Sequence, residues 1–316
     1  MEGREFGGRR GELLIPRALQ KGDLVALVAP ARWLDESRYG PADEWLRSRG
    51  LRSVRGAHWE SQKGQLAGND VERAADVEWA LRNPEIRAVW FVRGGYGSAR
   101  MVDLVDWSLL RADPKLLVGY SDPTVLLMAA WGQGVASVHA TMPVNVASNT
   151  AAALGSLADV LLGRWRGRKW EVARPAGARG AAWREGLARG PLVGGNLSVL
   201  YSLLGSSTFP DLRGCVLFLE DLDEYVYHID RMMVGLRRAG VLEGVVGVVV
   251  GGFTDIHDHA VPFGREVMEV ILEQFDGIPV GCGFPMGHID GNEAFVVGGT
   301  VEVVVGKNAA VAFLVD

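Results

Sequence analysis

Short apolar runs that stop at glycine or proline alternate with longer amphipathic stretches through the first 131 residues, and this alternation leaves few folds open. Residues 24–29 (Leu-Val-Ala-Leu-Val-Ala) end at Pro30 and lead into a helix-like stretch over 36–49. Helical spacing over 70–81 stops near Asn83-Pro84, the run 88–92 enters Gly94-Gly95-Tyr96-Gly97, and a further helical stretch covers 98–105. Then come a strand over 116–118, a turn over 119–122 and a helix over 123–131. Strand runs without a polar face are buried on both sides, so the pattern predicts a mostly parallel sheet with helices on each face. Ligands of such sheets collect beyond the carboxyl ends of the strands.

A chain of 316 residues is long for one core and predicts two domains. The N-terminal α/β domain is expected to span 1–165. From 163 to 189 the composition shifts to Arg, Gly, Ala and Trp, so 166–189 reads as the connection. Beyond it, 190–316 forms a smaller mixed domain, mainly β. Its strands are predicted over 215–219 and 245–250, with a helix over 224–238. Short strands at 295–297, 301–305 and 310–315 follow, separated by Gly-Gly-Thr and Gly-Lys-Asn turns.

A net charge of -5 gives no basic face to displace phosphate counterions, so nucleic acid is not expected as a partner and the arginines of 163–189 read as a solvated ribbon. No run approaches the roughly 18 to 20 apolar residues of a membrane span, and the charged start Met-Glu-Gly-Arg-Glu lacks a secretory pattern. Cys215 and Cys282 each sit in an apolar run and read as buried thiols. Together these features predict a cytoplasmic protein with no membrane partner.

Five segments could carry chemistry. In Gly119-Tyr120-Ser121-Asp122-Pro123, a serine at a sharp strand-to-helix turn presents its hydroxyl at the sheet edge, with Asp122 expected as the helix N-cap. The same turn is open to a plainer role, a capped turn in which Ser121 satisfies backbone donors. The Gly-rich turn at 93–98 could offer backbone amides to an oxyanion or to a phosphate, although it matches neither the dinucleotide nor the P-loop pattern. In Phe218-Leu219-Glu220-Asp221-Leu222-Asp223-Glu224, Glu220 at the strand exit is best placed to stay fixed and orient a histidine, whereas Asp223 or Glu224 suits a helix N-terminus. His288 lies in a glycine-flanked loop where a general base could be held. His257 and His259, with Asp255, form a rival constellation resembling the site of a metal-dependent hydrolase, but no third well-spaced His, Cys or Glu completes it, and no metal or cofactor is expected. His58, His139 and His228 read as structural or surface residues.

Several of these segments recur together in one known family. Gly-Asp-Leu-Val-Ala-Leu-Val-Ala-Pro-Ala (22–31), Arg-Gly-Gly-Tyr-Gly-Ser (93–98), Gly-Tyr-Ser-Asp-Pro-Thr (119–124), Gly-Gly-Asn-Leu (194–197), Phe-Leu-Glu-Asp with Ile-Asp-Arg-Met (within 218–232) and Gly-His-Ile-Asp-Gly-Asn (287–292) resemble, in order, the LD-carboxypeptidases. That family of serine peptidases includes muramoyl-tetrapeptide carboxypeptidases and microcin-immunity peptidases. The resemblance implies a triad of Ser121, Glu220 and His288, with oxyanion donors on the backbone of Gly95 and Asp122. It further implies substrate contacts near Gly94, Tyr96 and Asn196, a small peptide or muropeptide substrate, and a homodimer. Cleavage would release D-alanine from a murein tetrapeptide, or, in the microcin-immunity branch, split an amide beside an aminoacyl nucleotide. After His139 the chain reads Ala-Thr-Met-Pro in place of the family's Gly-Pro-Met run, which alters that side of the pocket.

Overall fold

The computed structural model describes residues 11–174 and 183–314. Strands β1 (Leu24–Val28), β2 (Arg52–Arg55), β3 (Ile86–Phe91), β4 (Leu116–Gly119) and β5 (Ser137–His139) run parallel in the spatial order β2-β1-β3-β4-β5. The remaining strands are β6 (Lys169–Ala173), β7 (Gly186–Asn196), β8 (Val216–Leu222), β9 (Gly247–Thr254), β10 (Val280–Cys282), β11 (Phe295–Val297), β12 (Thr300–Val305) and β13 (Asn308–Phe313). Of these, β11 pairs antiparallel with β5 and completes the first sheet. The second sheet has the order β10-β9-β8-β7-β12-β13-β6, parallel from β10 to β7 and antiparallel beyond.

The buried strands follow the expectation from apolar runs. Every residue of β4 is buried, and so is β3 apart from the half-buried Arg87. Apart from the eleven-residue β7, the strands that apolar pattern misses are short or polar at the surface. Arg-Ser-Val-Arg in β2 is a partly exposed edge strand, and β5 and β10 have three residues each. Within 166–189, expected as a connection, Lys169–Ala173 pairs with β13 as the outer strand of the second sheet and β7 already begins at Gly186. Trp170 packs edge-on to Phe313, which explains why a segment rich in charge still adheres to a sheet.

The helix Thr124–Gly132 joins the two halves. Its mean hydropathy is high and nearly uniform around the axis, and Thr124 to Trp131 are all buried. A helix that is apolar on every side must be covered on every side. It packs on β4 and β5 of the first sheet and on β7 and the helix Leu197–Ser202 of the second half. Gly195 makes that approach possible, because a Cβ there would come within 2.7 Å of the Thr124 side chain. Cys215 and Cys282 are both buried. Among the described residues, no helix is long and apolar enough to cross a membrane.

Candidate active site

Ser121 lies two residues beyond the end of β4 and adopts φ 66°, a left-handed conformation that costs a residue with a Cβ roughly 1 kcal/mol. The following helix begins at Thr124, and Asp122 does not cap it with its side chain as the sequence had suggested. Its carboxylate instead accepts from Gly97 N at 3.2 Å and from Ser98 N at 2.9 Å. Asp122 therefore fastens the serine turn to the Gly-rich turn after β3. Burial, opposed by these hydrogen bonds, raises the pKa of this carboxyl.

The Gly-rich turn lies against the serine. A Cβ on Gly94 would sit 2.9 Å from both Cβ and Oγ of Ser121 and 3.3 Å from Asp122 N, so only glycine leaves room there. Among the described residues, neither the Gly95 N–H nor the Asp122 N–H has a protein acceptor. Tyr96 extends from the same turn and is 56% exposed.

Glu220 lies in β8 and is fully buried. Its Oε2 accepts from His288 N at 3.1 Å and meets His288 Nδ1 at 2.6 Å, which leaves Nε2 as the ring nitrogen open to a hydroxyl. Burial opposes protonation of His288, but the charge of Glu220 and its hydrogen bond outweigh it and raise the imidazole pKa above 6.5. On Glu220 burial pushes the pKa up, and the imidazole charge and hydrogen bond pull it net below the ordinary value. The other oxygen, Oε1, is buried without a hydrogen-bond partner among the described residues, a costly arrangement for a carboxylate with only a structural role.

The loop bearing His288 reaches Glu220 because residue 287 is glycine. Gly287 has φ 101°, and a Cβ there would lie 2.6 Å from Glu220 Cβ and 2.7 Å from Oε2. Asn292 Oδ1 accepts from Gly287 N at 2.8 Å, and Thr254 Oγ1 donates to His288 O at 2.9 Å. Gly287→Ala is expected to push the imidazole off its carboxylate and lower turnover about 100-fold. The check is kcat together with loss of the raised His288 titration by NMR.

Tyr120 brings the two halves of the site together. Its ring centroid lies 4.9 Å from that of His288, and the next residue is Ser121. The Ser121 hydroxyl and His288 are not hydrogen-bonded to each other in this structure. Behind them His139 is fully buried, stacked on Phe295 at 4.7 Å, and burial drives its pKa down to about 4. It is thus a neutral core residue, in line with the structural role expected of it.

Other polar residues around the pair are committed within the protein. Asn196 is buried and its amide is committed internally: Nδ2 donates to Asp221 Oδ1 at 2.9 Å, while Oδ1 accepts from Val199 N at 3.1 Å and Ser198 Oγ at 2.8 Å. It caps the helix Leu197–Ser202 and positions Asp221. The acidic cluster also sorts differently from its sequence appearance. Asp221 is buried, and burial followed by the charge of Glu220 raises it to about 6. Asp223 bonds His257 Nε2 at 2.7 Å, and Glu224 bonds His228 Nδ1 at 2.8 Å in the first turn of the helix Val226–Arg238. His259 stacks on Tyr225 and Tyr227, and among the described residues no three His, Cys, Asp or Glu side chains are grouped as metal ligands.

A two-sheet α/β fold, with a strained serine turn on one sheet and a buried carboxylate–imidazole pair on the other, defines the class of this protein. Within that class the chain belongs to the LD-carboxypeptidase family: residues 25–140 match its N-terminal domain and 189–303 its C-terminal domain. A probable murein peptide carboxypeptidase of Bacillus subtilis is 35% identical over 306 residues, covering 94% of this chain and 93% of the relative. The microcin C7 self-immunity protein of Escherichia coli is 26% identical over 306 residues, covering 87% and 88%. The crystal structure of the muramoyltetrapeptide carboxypeptidase from Oxalobacter formigenes superposes with a TM-score of 0.81 at 26% identity, covering 92% of this chain and 98% of that one.

Proposed function

We propose that the protein is a serine carboxypeptidase that releases D-alanine from a murein tetrapeptide. The single observation that carries this reading is the fully buried Glu220 bonded at 2.6 Å to His288, whose ring packs on the residue preceding the strained Ser121. Membership of the LD-carboxypeptidase family and the names of the relatives at Bacillus subtilis and Oxalobacter formigenes support the substrate. The same resemblance supports a cytoplasmic homodimer as the working form.

In this mechanism the Ser121 oxygen attacks the carbonyl carbon of the scissile amide while His288 Nε2 takes the hydroxyl proton. Glu220 holds Nδ1–H and stabilises the imidazolium. The developing oxyanion is received by the N–H groups of Gly95 and Asp122, which have no acceptor among the described residues. Collapse breaks the C–N bond, and His288 returns its proton to the departing amine of D-alanine. A water then attacks the acyl-serine, giving up its proton through His288, and the tripeptide leaves with Ser121 restored.

Incubation with L-Ala-γ-D-Glu-meso-diaminopimelate-D-Ala in the presence of a strong chelator, followed by mass spectrometry, tests the reading. The expected products are the tripeptide and free D-alanine. Recovery of intact tetrapeptide, with cleavage instead of an aminoacyl sulfamoyl nucleotide, would move the protein to the microcin-immunity branch.

A further inference from the structure

The sheet order reverses between β1 and β3: the chain leaves β1 toward β2 on one side and returns to β3 on the other. The crevice beyond the carboxyl ends of two such strands is where an open α/β sheet receives its ligand. Here that crevice is bordered by the loops holding Arg32, after β1, and Arg93, after β3.

Both loops are held firmly. The buried Arg73 donates to Pro30 O at 2.6 Å and to Gly97 O at 2.8 Å, tying one loop to the other. Arg93 Nη1 donates to Trp33 O at 3.2 Å, and the Arg32 backbone bridges to Leu66. The neighbouring arginines are neutralised in the usual way, since Arg55 pairs with Asp43 and both Arg73 and Arg100 pair with Asp70. Arg32, Arg38 and Arg93 are different. Among the described residues none of them has an ion pair with a carboxylate, and Arg32 Nε is buried with no hydrogen-bond partner. Arg93 lies within reach of the other two charges, because burial first and then the charges of Arg32 and Arg38 hold its pKa below the ordinary value. Asp35 lies within electrostatic range of Arg38, but a cluster of guanidinium groups without ion pairs in a partly desolvated crevice still favours entry of an anion.

The cluster adjoins the reacting serine. A Cβ on Gly95 would meet Arg32 Cδ at 2.5 Å and Nε at 2.7 Å, while the adjacent Gly94 abuts Ser121. The Arg32 guanidinium therefore lies within roughly 12 Å of Ser121 Oγ, one residue spacing plus two contacts. In a peptide whose last bond is cut, the terminal carboxylate carbon lies only roughly 3 to 4 Å beyond the scissile carbonyl carbon. An anion bound by Arg32 and Arg93 would thus present the last amide of a chain to Ser121.

We propose that Arg32 and Arg93, supported by the charge of Arg38, bind the free carboxylate of the released residue and thereby restrict cleavage to the terminal bond. This assignment rests on the carboxypeptidase reading above and deepens it by naming the groups that exclude internal bonds. A guanidinium fork matches a carboxylate in two parallel hydrogen bonds, and a neutral amide in the same place leaves the cations unpaired.

The test compares kcat/KM for the tetrapeptide, for its C-terminal amide, and for tetrapeptides amidated instead on the D-Glu or diaminopimelate carboxylate. Wild-type protein is expected to favour the free acid over the C-terminal amide by roughly 10- to 100-fold. Arg32→Gln and Arg93→Gln should each lose most of that preference, falling far more on the free acid than on the amide. A general folding defect would lower both substrates alike and leave their ratio intact, so an unchanged ratio in both variants would overturn the assignment. Equal wild-type rates on acid and amide would also overturn it, as would a preference that Arg32→Gln abolishes only for an internal carboxylate. Failure of the wild-type protein to cleave any of these peptides would instead remove the carboxypeptidase reading, and this assignment with it.

Discussion

Ser121→Ala is expected to reduce D-alanine release about 10^4- to 10^6-fold, because the variant keeps the binding crevice and the amide donors but has no nucleophile. The fold should survive, since the turn is held from outside by the Asp122 carboxylate on Gly97 N and Ser98 N. A second variant separates chemistry from backbone strain. Ser121→Gly also lacks the hydroxyl and should be as inactive, yet it removes the Cβ from a residue at φ 66°. It should therefore unfold with a stability about 1 kcal/mol above that of Ser121→Ala. Paired denaturation curves check the difference, and an alanine variant that still turns over would exclude Ser121 as the nucleophile.

Glu220→Gln is expected to lower kcat by about 10^4-fold, as removal of the orienting carboxylate does in other triads. By contrast Glu224, which bonds only the half-exposed His228, should tolerate the same change with turnover nearly intact and a loss of at most about 1 kcal/mol. The pH profile carries the sign. Only neutral His288 can accept the serine proton, and Glu220 raises the imidazole pKa above 6.5. Activity of the wild-type protein should therefore rise with pH through a value above 6.5. In Glu220→Gln the stabilising charge is gone while burial of His288 persists, so the residual activity should show its acid limb at lower pH. An acid limb that stays in place would mean that another carboxylate orients the imidazole.

The first sheet was legible because its strands are buried on both faces and therefore read as uninterrupted apolar runs. Where an edge strand faces water, as with Arg52–Arg55, no such run exists and the strand is set by pairing with β1. Lys169–Ala173 was hidden for a related reason: its partner, β13, lies at the far end of the chain. Asp122 shows the limit of local reasoning at the site. As the residue before a proline at a helix start it reads as an N-cap, but its acceptor capacity is used by a turn that only the tertiary fold brings near. The separation of Glu220 and Asp221, both buried, from Asp223 and Glu224, which bond the more exposed His257 and His228, likewise depends on packing between β8 and its neighbours. Arg32 carried a weaker signal that could have been used, because the loops after the first and third strands flank the point where such a sheet reverses its order. Surface shape alone would have misled: a groove of about 690 Å³ on the outer face of the helix Asp70–Arg82 contains none of the site residues.

The central claim is that His288 activates Ser121 as a nucleophile, and covalent capture tests it most directly. Wild-type protein is to be treated with a small serine-reactive phosphonate, then digested and mapped by mass spectrometry, with tetrapeptide turnover followed in parallel. A single phosphonyl adduct on Ser121, formed in step with loss of activity and greatly slowed in His288→Ala, is the predicted result. Full inactivation with the label on another residue, or unlabelled Ser121 in a protein that turns over the tetrapeptide, would contradict it.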